Sequence, residues 1–135
     1  MPTPPHIRVH QLDHARCAVA AARAAGVEIT LDSPAGAAGW HGIGWWRRLE
    51  LAVTAEFGAV ATVLDCADAP GHALAALRAG CRRIRLRAAA EPFNRVAAIA
   101  ARWGAEVDSV PPAEVLDLLG VMDAPAACRD YLKKG

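Results

Sequence analysis

The stretch Arg83-Ile84-Arg85-Leu86-Arg87 alternates charged and apolar side chains at every position. Successive side chains of a β-strand point to opposite faces of a sheet, so this stretch predicts a strand with one apolar and one charged face. Four further stretches have the composition of strands, and three of them alternate in the same way: Ile7–His10, Val27–Asp32, Ala59–Asp65 and Ala105–Asp108. The sequence therefore predicts a sheet of about five strands with charges along one face.

A helical stretch separates each pair of neighbouring strands, which is typical of parallel strands joined by crossover helices. Parallel strands that are covered by helices on both faces are almost continuously apolar, and these strands are not. We therefore expect an α/β fold of about five βα units, with a mainly parallel sheet and helices chiefly on one face, either open or partly barrel-like. The alternative is a flavodoxin-like three-layer sandwich, in which the strand order reverses.

The predicted helices begin after capping residues or proline and end at glycine. They cover about 14–25 with Asp13 as N-cap, 45–57, 68–80 with Asp68 as cap, 91–104, 112–119, and a terminal helical turn from Asp123 through Tyr131. We expect a single domain over residues 1–135, with an N-terminal tail (1–6), a Gly/Trp-rich loop (33–44) and a C-terminal helical extension (121–135).

Composition excludes several classes of function. The 15 basic and 14 acidic residues nearly balance, which gives no electrostatic basis for binding nucleic acid or an anionic membrane. The only lysines are Lys133 and Lys134, so Schiff-base and P-loop lysine chemistry is not expected, and neither serine lies in a G-x-S-x-G motif. The four cysteines lack paired spacing, and no secretory leader or spanning segment is evident. These features indicate a cytoplasmic protein with reduced thiols.

Two predicted strands end in an aspartate that precedes a connection to a helix. They are Asp32, followed by Ser33-Pro34, and Asp65, followed by Cys66 and Ala67. Ligands of parallel α/β sheets bind at the C-terminal ends of the strands, and on neighbouring strands the two carboxylates would lie about 5 Å apart at the backbone. There they could hold Mg²⁺ or divide acid and base roles. The alternative is that each aspartate caps the following helix.

The Gly-rich stretch before the second helix is a candidate anion site. Backbone N–H groups around Gly42 and Gly44 could hold an anion, and Arg47 lies in the first turn of the helix that follows. The same stretch carries Trp40 among several bulky apolar residues, which is also typical of core packing, of a surface that contacts a partner, or of a lid over a ligand.

The histidines offer candidates for proton transfer. His41 and His72 belong to connections that follow strands, where they could shuttle a proton. The spacing of four between His6, His10 and His14 would suggest metal ligands on one helix, but these residues fall on a strand and at a helix start. Cys66 precedes a helix N-terminus, which can lower a thiol pKa, although burial as a small core residue is the other interpretation.

Two hypotheses for function follow. In the first, the protein binds a small phosphorylated or carboxylated metabolite at the strand ends, with Arg47 or Arg87 holding the anion and Asp32, Asp65, His41 or His72 transferring protons. In the second, the Trp-rich loop or the charged sheet face docks a protein partner or a second copy, giving a homodimer. The sequence names no cofactor and does not decide whether the protein is an enzyme.

Overall fold

The computed structural model describes residues 3–133. These residues form six short strands and five α-helices. The strands are β1 (His6–Arg8), β2 (Thr30–Asp32), β3 (Ala61–Asp65), β4 (Arg83–Arg85), β5 (Glu106–Asp108) and β6 (Val115–Asp117). The α-helices are α1 (Leu12–Ala25), α2 (Ile43–Phe57), α3 (Pro70–Arg78), α4 (Ala90–Arg102) and α5 (Ala124–Lys133), and a π-helix (Ala38–Gly42) runs into α2.

The six strands are ordered β5-β4-β3-β2-β1-β6 in a parallel sheet, which confirms the α/β fold of about five βα units. From β1 to β5, each new strand is added to the sheet on the same side of the strand before it. The order does not reverse as it does in a flavodoxin-like sheet. Right-handed crossovers that step in one direction place their helices on the same face.

The contacts within the chain group its residues into two compact units. The first unit comprises residues 1–32, 49–61 and 112–135, and the second comprises residues 33–48 and 62–111. In the first unit β1 pairs in parallel with β2 and β6, so that Ile7 lies opposite Leu31 on one side and Leu116 on the other. Helices α1 and α5 pack against each other, and the buried Cys128 of α5 lies near Cys17 of α1.

In the second unit β4 pairs in parallel with β3 and β5. Leu64 lies opposite Ile84, which in turn lies opposite Val107, and Leu64 and Ile84 are fully buried. These residues alternate along their strands with charged ones, of which Asp65 and Arg85 are also buried. Trp46 of α2 is the largest of the side chains that are fully buried.

One predicted helix is wrong. Residues 112–119 do not form a helix, because Val115–Asp117 is the strand β6, paired with β1. Its alternation of apolar and acidic residues is only three residues long, which is too short to distinguish from one turn of an amphipathic helix.

Several element boundaries also differ from the prediction. The first strand begins at His6, inside the predicted tail, and part of the predicted loop 33–44 is the π-helix. Helix α1 starts before Asp13, so that residue lies in its first turn, and the side chain of the residue before α1 makes no cap. Trp103, which follows α4, is about half exposed.

Three predicted helix features are confirmed. Gly26 ends α1 with a φ of 68°, a left-handed conformation that glycine adopts without steric cost. Pro70 is the first residue of α3. The carboxylate of Asp123 accepts a hydrogen bond of 3.1 Å from the N–H of Ala126 and so caps α5. None of the helices in residues 3–133 has the length and apolar character that crossing a membrane requires.

Candidate functional site

Every one of the six described strands ends in a charged residue. Within each unit the register brings three of these terminal residues side by side, as an arginine between two aspartates. We call Asp32, Arg8 and Asp117 the first charged row, and Asp65, Arg85 and Asp108 the second charged row. Since the C-terminal ends of parallel strands are where α/β proteins bind ligands, these rows are the candidate sites.

In the first charged row the guanidinium of Arg8 lies between two carboxylates. Its Nη2 is 3.9 Å from Oδ2 of Asp32, and its Nη1 is 3.6 Å from Oδ2 of Asp117. Asp32 is fully buried, whereas the side chain of Arg8 is 22% exposed and that of Asp117 more so. The row is therefore closed at the Asp32 end and open to solvent at the Asp117 end.

Two histidines of the same strand and its extension join this row. Nδ1 of His6 lies 2.5 Å from Oδ1 of Asp32, and Nε2 of His10 lies 2.7 Å from Oδ1 of Asp117. Each carboxylate thus has an imidazole on one oxygen and Arg8 on the other. Because a carboxylate only accepts hydrogen bonds when ionised, the ring nitrogen facing it carries the proton.

The pKa values around Asp117 are shifted by these contacts. Burial acts to raise the pKa of Asp117, but the hydrogen bond from the N–H of Leu119, the hydrogen bond and charge of His10, and the charge of Arg8 outweigh it and lower the pKa. His14, whose Nδ1 accepts a hydrogen bond from the N–H of His10, has a lowered pKa because it is partly buried and lies near that second imidazole. The open end of the row therefore favours ionised Asp117 and neutral His14.

The second charged row has the same order of charges but a different environment. Arg85 is only 2% exposed, and its Nε lies 3.4 Å from Oδ1 of Asp108. Arg83 lies two residues earlier on β4, and its Nε is 3.4 Å from Oδ2 of the same carboxylate. Asp108 therefore holds two arginines, where each carboxylate of the first row holds one arginine and one histidine.

Arg87 extends the second row beyond the end of β4. Its Nη1 lies 3.9 Å from Oδ2 of Asp65, and the side chain is 49% exposed. Two hydrogen bonds connect the segments that follow β3 and β4. The N–H of Arg87 donates to the carbonyl of Ala67, and the N–H of Ala67 donates to Oδ1 of Asp65. Ala67 has a φ of 52°, a left-handed conformation that costs an alanine of order 1 kcal/mol or more.

Asp32 and Asp65 thus have different roles. Oδ1 of Asp65 accepts a hydrogen bond from the N–H of Ala67 and so stabilises the turn there. This resembles the predicted role of a helix cap, although α3 begins later, at Pro70. Asp32 lies on the strand and pairs with a histidine and an arginine. The two aspartates belong to different units.

The Gly/Trp-rich residues do not form the expected anion cradle. Gly42 lies in the π-helix that continues directly into α2, and Gly44 lies within α2. Their N–H groups are consequently inside a helix and not at its free start. His41 stacks on Trp45 with ring centroids 4.9 Å apart, and Trp40 projects with 87% of its surface exposed.

His72 and Arg47 occupy opposite ends of α3. His72 lies in the first turn against the backbone of Gly39, where a Cβ would come within 2.9 Å of the imidazole Cε1, so only glycine fits without displacing it. Nε of Arg47 donates to the carbonyl of Ala79 at the C-terminal end of α3, where a cation is favoured by the helix dipole. Arg47, which was predicted to contact an anion, therefore contacts the C-terminal end of a helix.

Cys66 does not have the activated thiol that a helix start can produce. Burial, the nearby Cys81 thiol and the Asp65 carboxylate raise the pKa of Cys66 to about 12. In residues 3–133 no group of three or more His, Cys, Asp and Glu side chains is arranged to hold a metal ion.

The first charged row was not predicted from the sequence, because Asp117 lies within residues 112–119, which were predicted to be helical. One signal was present: Val115-Leu116-Asp117 ends in an apolar residue followed by aspartate, as Leu31-Asp32 and Leu64-Asp65 do. Comparison with models of known protein families gives no match, and no curated protein matches the sequence either.

Proposed function

We propose that the protein binds a small phosphorylated or carboxylated metabolite at the strand C-terminal ends of the second unit, with Arg87 as the anion contact. The observation that carries this proposal is the half-exposed side chain of Arg87, whose one ion pair within residues 3–133 is a long one to Asp65. Arg83 and Arg85 are instead engaged with Asp108. Arg87 is therefore the arginine of β4 and its extension best able to reach a ligand from solvent.

The backbone at this corner supports the proposal. The strained turn at Ala67 holds Asp65 next to Arg87, and strained backbone of this kind often accompanies ligand sites. A guanidinium presents several donors in one plane, which suits the oxygens of a phosphate or carboxylate. Asp65 would orient Arg87.

A thermal unfolding assay at about pH 8 tests the proposal. Inorganic phosphate and succinate are the probes, each at up to 100 times its dissociation constant, where a ligand stabilises by about 2.7 kcal/mol. We expect stabilisation of the wild type and of Arg95→Ala, an exposed arginine paired with Glu91, and none of Arg87→Ala. Equal stabilisation of Arg87→Ala, or no stabilisation by either probe, would overturn the proposal.

Trp40 favours a second candidate function, a homo-oligomerisation or protein-interaction module. A tryptophan that is 87% exposed contributes little packing energy to its own unit, and tryptophan is enriched where proteins meet. Sedimentation equilibrium of the wild type, of Trp40→Ala and of Trp103→Ala as the control compares the two exposed indoles. Self-association that only Trp40→Ala abolishes would support this function, and a monomer at all concentrations would exclude the homo-oligomer.

A further inference from the structure

The second unit has an open pocket at the N-terminal ends of β4 and β5, away from the second charged row. Its volume is about 600 Å³, which lies within the range of small-molecule sites. Its walls come from the C-terminal ends of α3 and α4, from α2, and from the segments that lead into the two strands. All of its lining residues belong to the second unit.

Three arginines line this pocket, and none of the described lining residues is acidic. They are Arg47, Arg78 and Arg82. Two of them are positioned by helix ends, since Nε of Arg47 donates to the carbonyl of Ala79 at 3.0 Å and Nη1 of Arg82 donates to the carbonyl of Gly104 at 3.4 Å. The C-terminal end of a helix carries about half a negative charge, so these two ends offset only part of the positive charge.

Neighbouring side chains leave two of these cations available to a ligand. Arg47 has a further partner within the chain and is not counted. Within residues 3–133 neither Arg78 nor Arg82 forms an ion pair with an acidic side chain. Arg102 and Glu106 flank the segment that lines the pocket, but they carry opposite charges and do not line it. The pocket therefore attracts anions.

An indole forms another wall of the same pocket. Trp103 lines it and is 48% exposed, and among residues 3–133 no other ring stacks on this indole. An accessible tryptophan ring stacks favourably on planar rings such as nucleobases. Guanidinium groups present several donors in one plane, which suits phosphate and carboxylate oxygens. The pocket thus combines the two contacts that a ligand with both a planar ring and an anionic group requires.

We propose that this pocket binds a small aromatic anion, with its ring against the indole of Trp103 and its phosphate or carboxylate on Arg78 and Arg82. A nucleoside monophosphate has this combination of groups. The site is separate from the one proposed at Arg87. Arg82 precedes β4 and Arg87 follows it, so the two positions are about 16 Å apart along an extended chain.

Isothermal titration calorimetry of the wild type with adenosine monophosphate tests the proposal. Adenosine, which lacks the anion, and ribose 5-phosphate, which lacks the ring, are the reference ligands at the same ionic strength. We expect adenosine monophosphate to bind at least about tenfold more tightly than either reference, because each lacks one of the two contacts. No binding of adenosine monophosphate, or equal binding of either reference, would overturn the proposal.

Variants of the indole assign the ring contact. Trp103→Leu keeps an apolar side chain but removes the ring, and we expect it to weaken the binding of adenosine monophosphate by about tenfold. Trp40→Leu, which removes the other exposed indole of the second unit, is the matched control and should bind like the wild type. Equal affinities of the two variants would overturn the proposal.

Variants of the arginines assign the anion contact. The double variant Arg78→Gln/Arg82→Gln should lose at least about tenfold in affinity for adenosine monophosphate and keep the wild-type affinity for adenosine. Arg87→Gln is the matched control and should retain both affinities. Loss of binding in Arg87→Gln with retention in the double variant would assign the phosphate to the other site and overturn the proposal.

A measurement on the wild type covers the case in which Trp103→Leu does not fold. The four tryptophans each give one indole N–H resonance, which can be assigned in a ¹H–¹⁵N correlation spectrum. Adenosine monophosphate should shift the resonance of Trp103 in a saturable way and leave that of the fully buried Trp46 unchanged. If the Trp103 resonance does not respond to the ligand, the proposal is wrong.

Discussion

The two charged rows have the same order of charges, but their central arginines are buried to different degrees. Each consists of an arginine between two aspartates on three adjacent strands. In the second unit the central Arg85 is 2% exposed, whereas in the first unit the central Arg8 is 22% exposed. The neighbours that complete each row also differ, since the first row has histidines where the second has arginines.

The difference in burial has consequences for how each row behaves. A fully enclosed arginine must be paired because an unpaired buried charge is very costly, so Arg85 holds the second row in one arrangement. Arginine also keeps its charge at every pH of interest. In the first row each carboxylate is paired with an imidazole as well as with Arg8, and the row remains accessible at its Asp117 end.

The largest expected effect concerns the thiol next to the second row. Because burial, Cys81 and Asp65 raise the pKa of Cys66 from 9.0 to about 12, its thiolate population at a given pH is reduced about a thousandfold. We expect iodoacetamide at about pH 8 to modify Cys17, which is partly exposed, long before Cys66. Peptide mass spectrometry of timed samples measures both rates, and similar rates would show that the second row is not enclosed.

Removing the central charge of each row tests their difference directly. Arg85→Met keeps the aliphatic stem but leaves Asp108 with only one of its two arginines, and we expect a loss of about 3–5 kcal/mol in the free energy of unfolding. Arg8→Met should cost about 1 kcal/mol, since Arg8 is partly solvated and its carboxylates keep their histidines. Urea denaturation of both variants provides the values, and equal losses would contradict the comparison.

A smaller effect distinguishes two aspartates that precede helices in the different units. Asp123 caps α5, so Asp123→Ala should cost about 1 kcal/mol. Asp68 was predicted to cap α3, but that helix begins after Ala69, with no side-chain cap. Asp68→Ala should therefore change the free energy of unfolding by less than about 0.5 kcal/mol. A larger loss in Asp68→Ala than in Asp123→Ala would contradict these assignments.

The smallest expected effect is a pH slope in the first unit. The lowered pKa of His14 means that the unfolded chain takes up a proton more readily than the folded chain, so stability falls as the pH drops through the ordinary histidine value of 6.5. The lowered pKa of Asp117 adds stability that is present above 3.8 and is lost as the pH falls below it, through the folded value.

Urea denaturation between about pH 8 and pH 5 measures the histidine part of that slope. His14→Gln should flatten it, whereas His72→Gln, an exposed histidine of the second unit, should leave it unchanged. An unaltered slope in His14→Gln would show that another group of the first unit carries the pH dependence.

The fold was largely predictable because alternation is a local property. Arg83-Ile84-Arg85 has the same period of two in the sequence and in β4, and Gly26 ends a helix for a reason contained in its own backbone. Strand β6 was not predictable in this way. Three residues are too few to define a period, and what makes Val115–Asp117 a strand is its pairing with β1.

The candidate sites were less predictable because burial depends on distant segments. A surface or an interface was the natural interpretation for Arg85, but in the structure it is almost completely enclosed. His6 gains its role only through Asp32, 26 residues further along the chain. No local pattern indicates such a pairing, since it requires the register between two strands.

The pairing of β1 with β6 also constrains how the protein can fold during its synthesis. His10 and Asp117 are 107 residues apart in the chain, and α1 packs on α5, which ends at Lys133. Contacts of such long sequence separation form slowly, and on the ribosome they must wait until residues 115–133 have emerged. The second unit, which ends at residue 111, can pair its own strands earlier. Until residues 115–133 emerge, β1 and α1 lack their partners β6 and α5, and in this interval a chaperone has the most reason to bind the nascent chain.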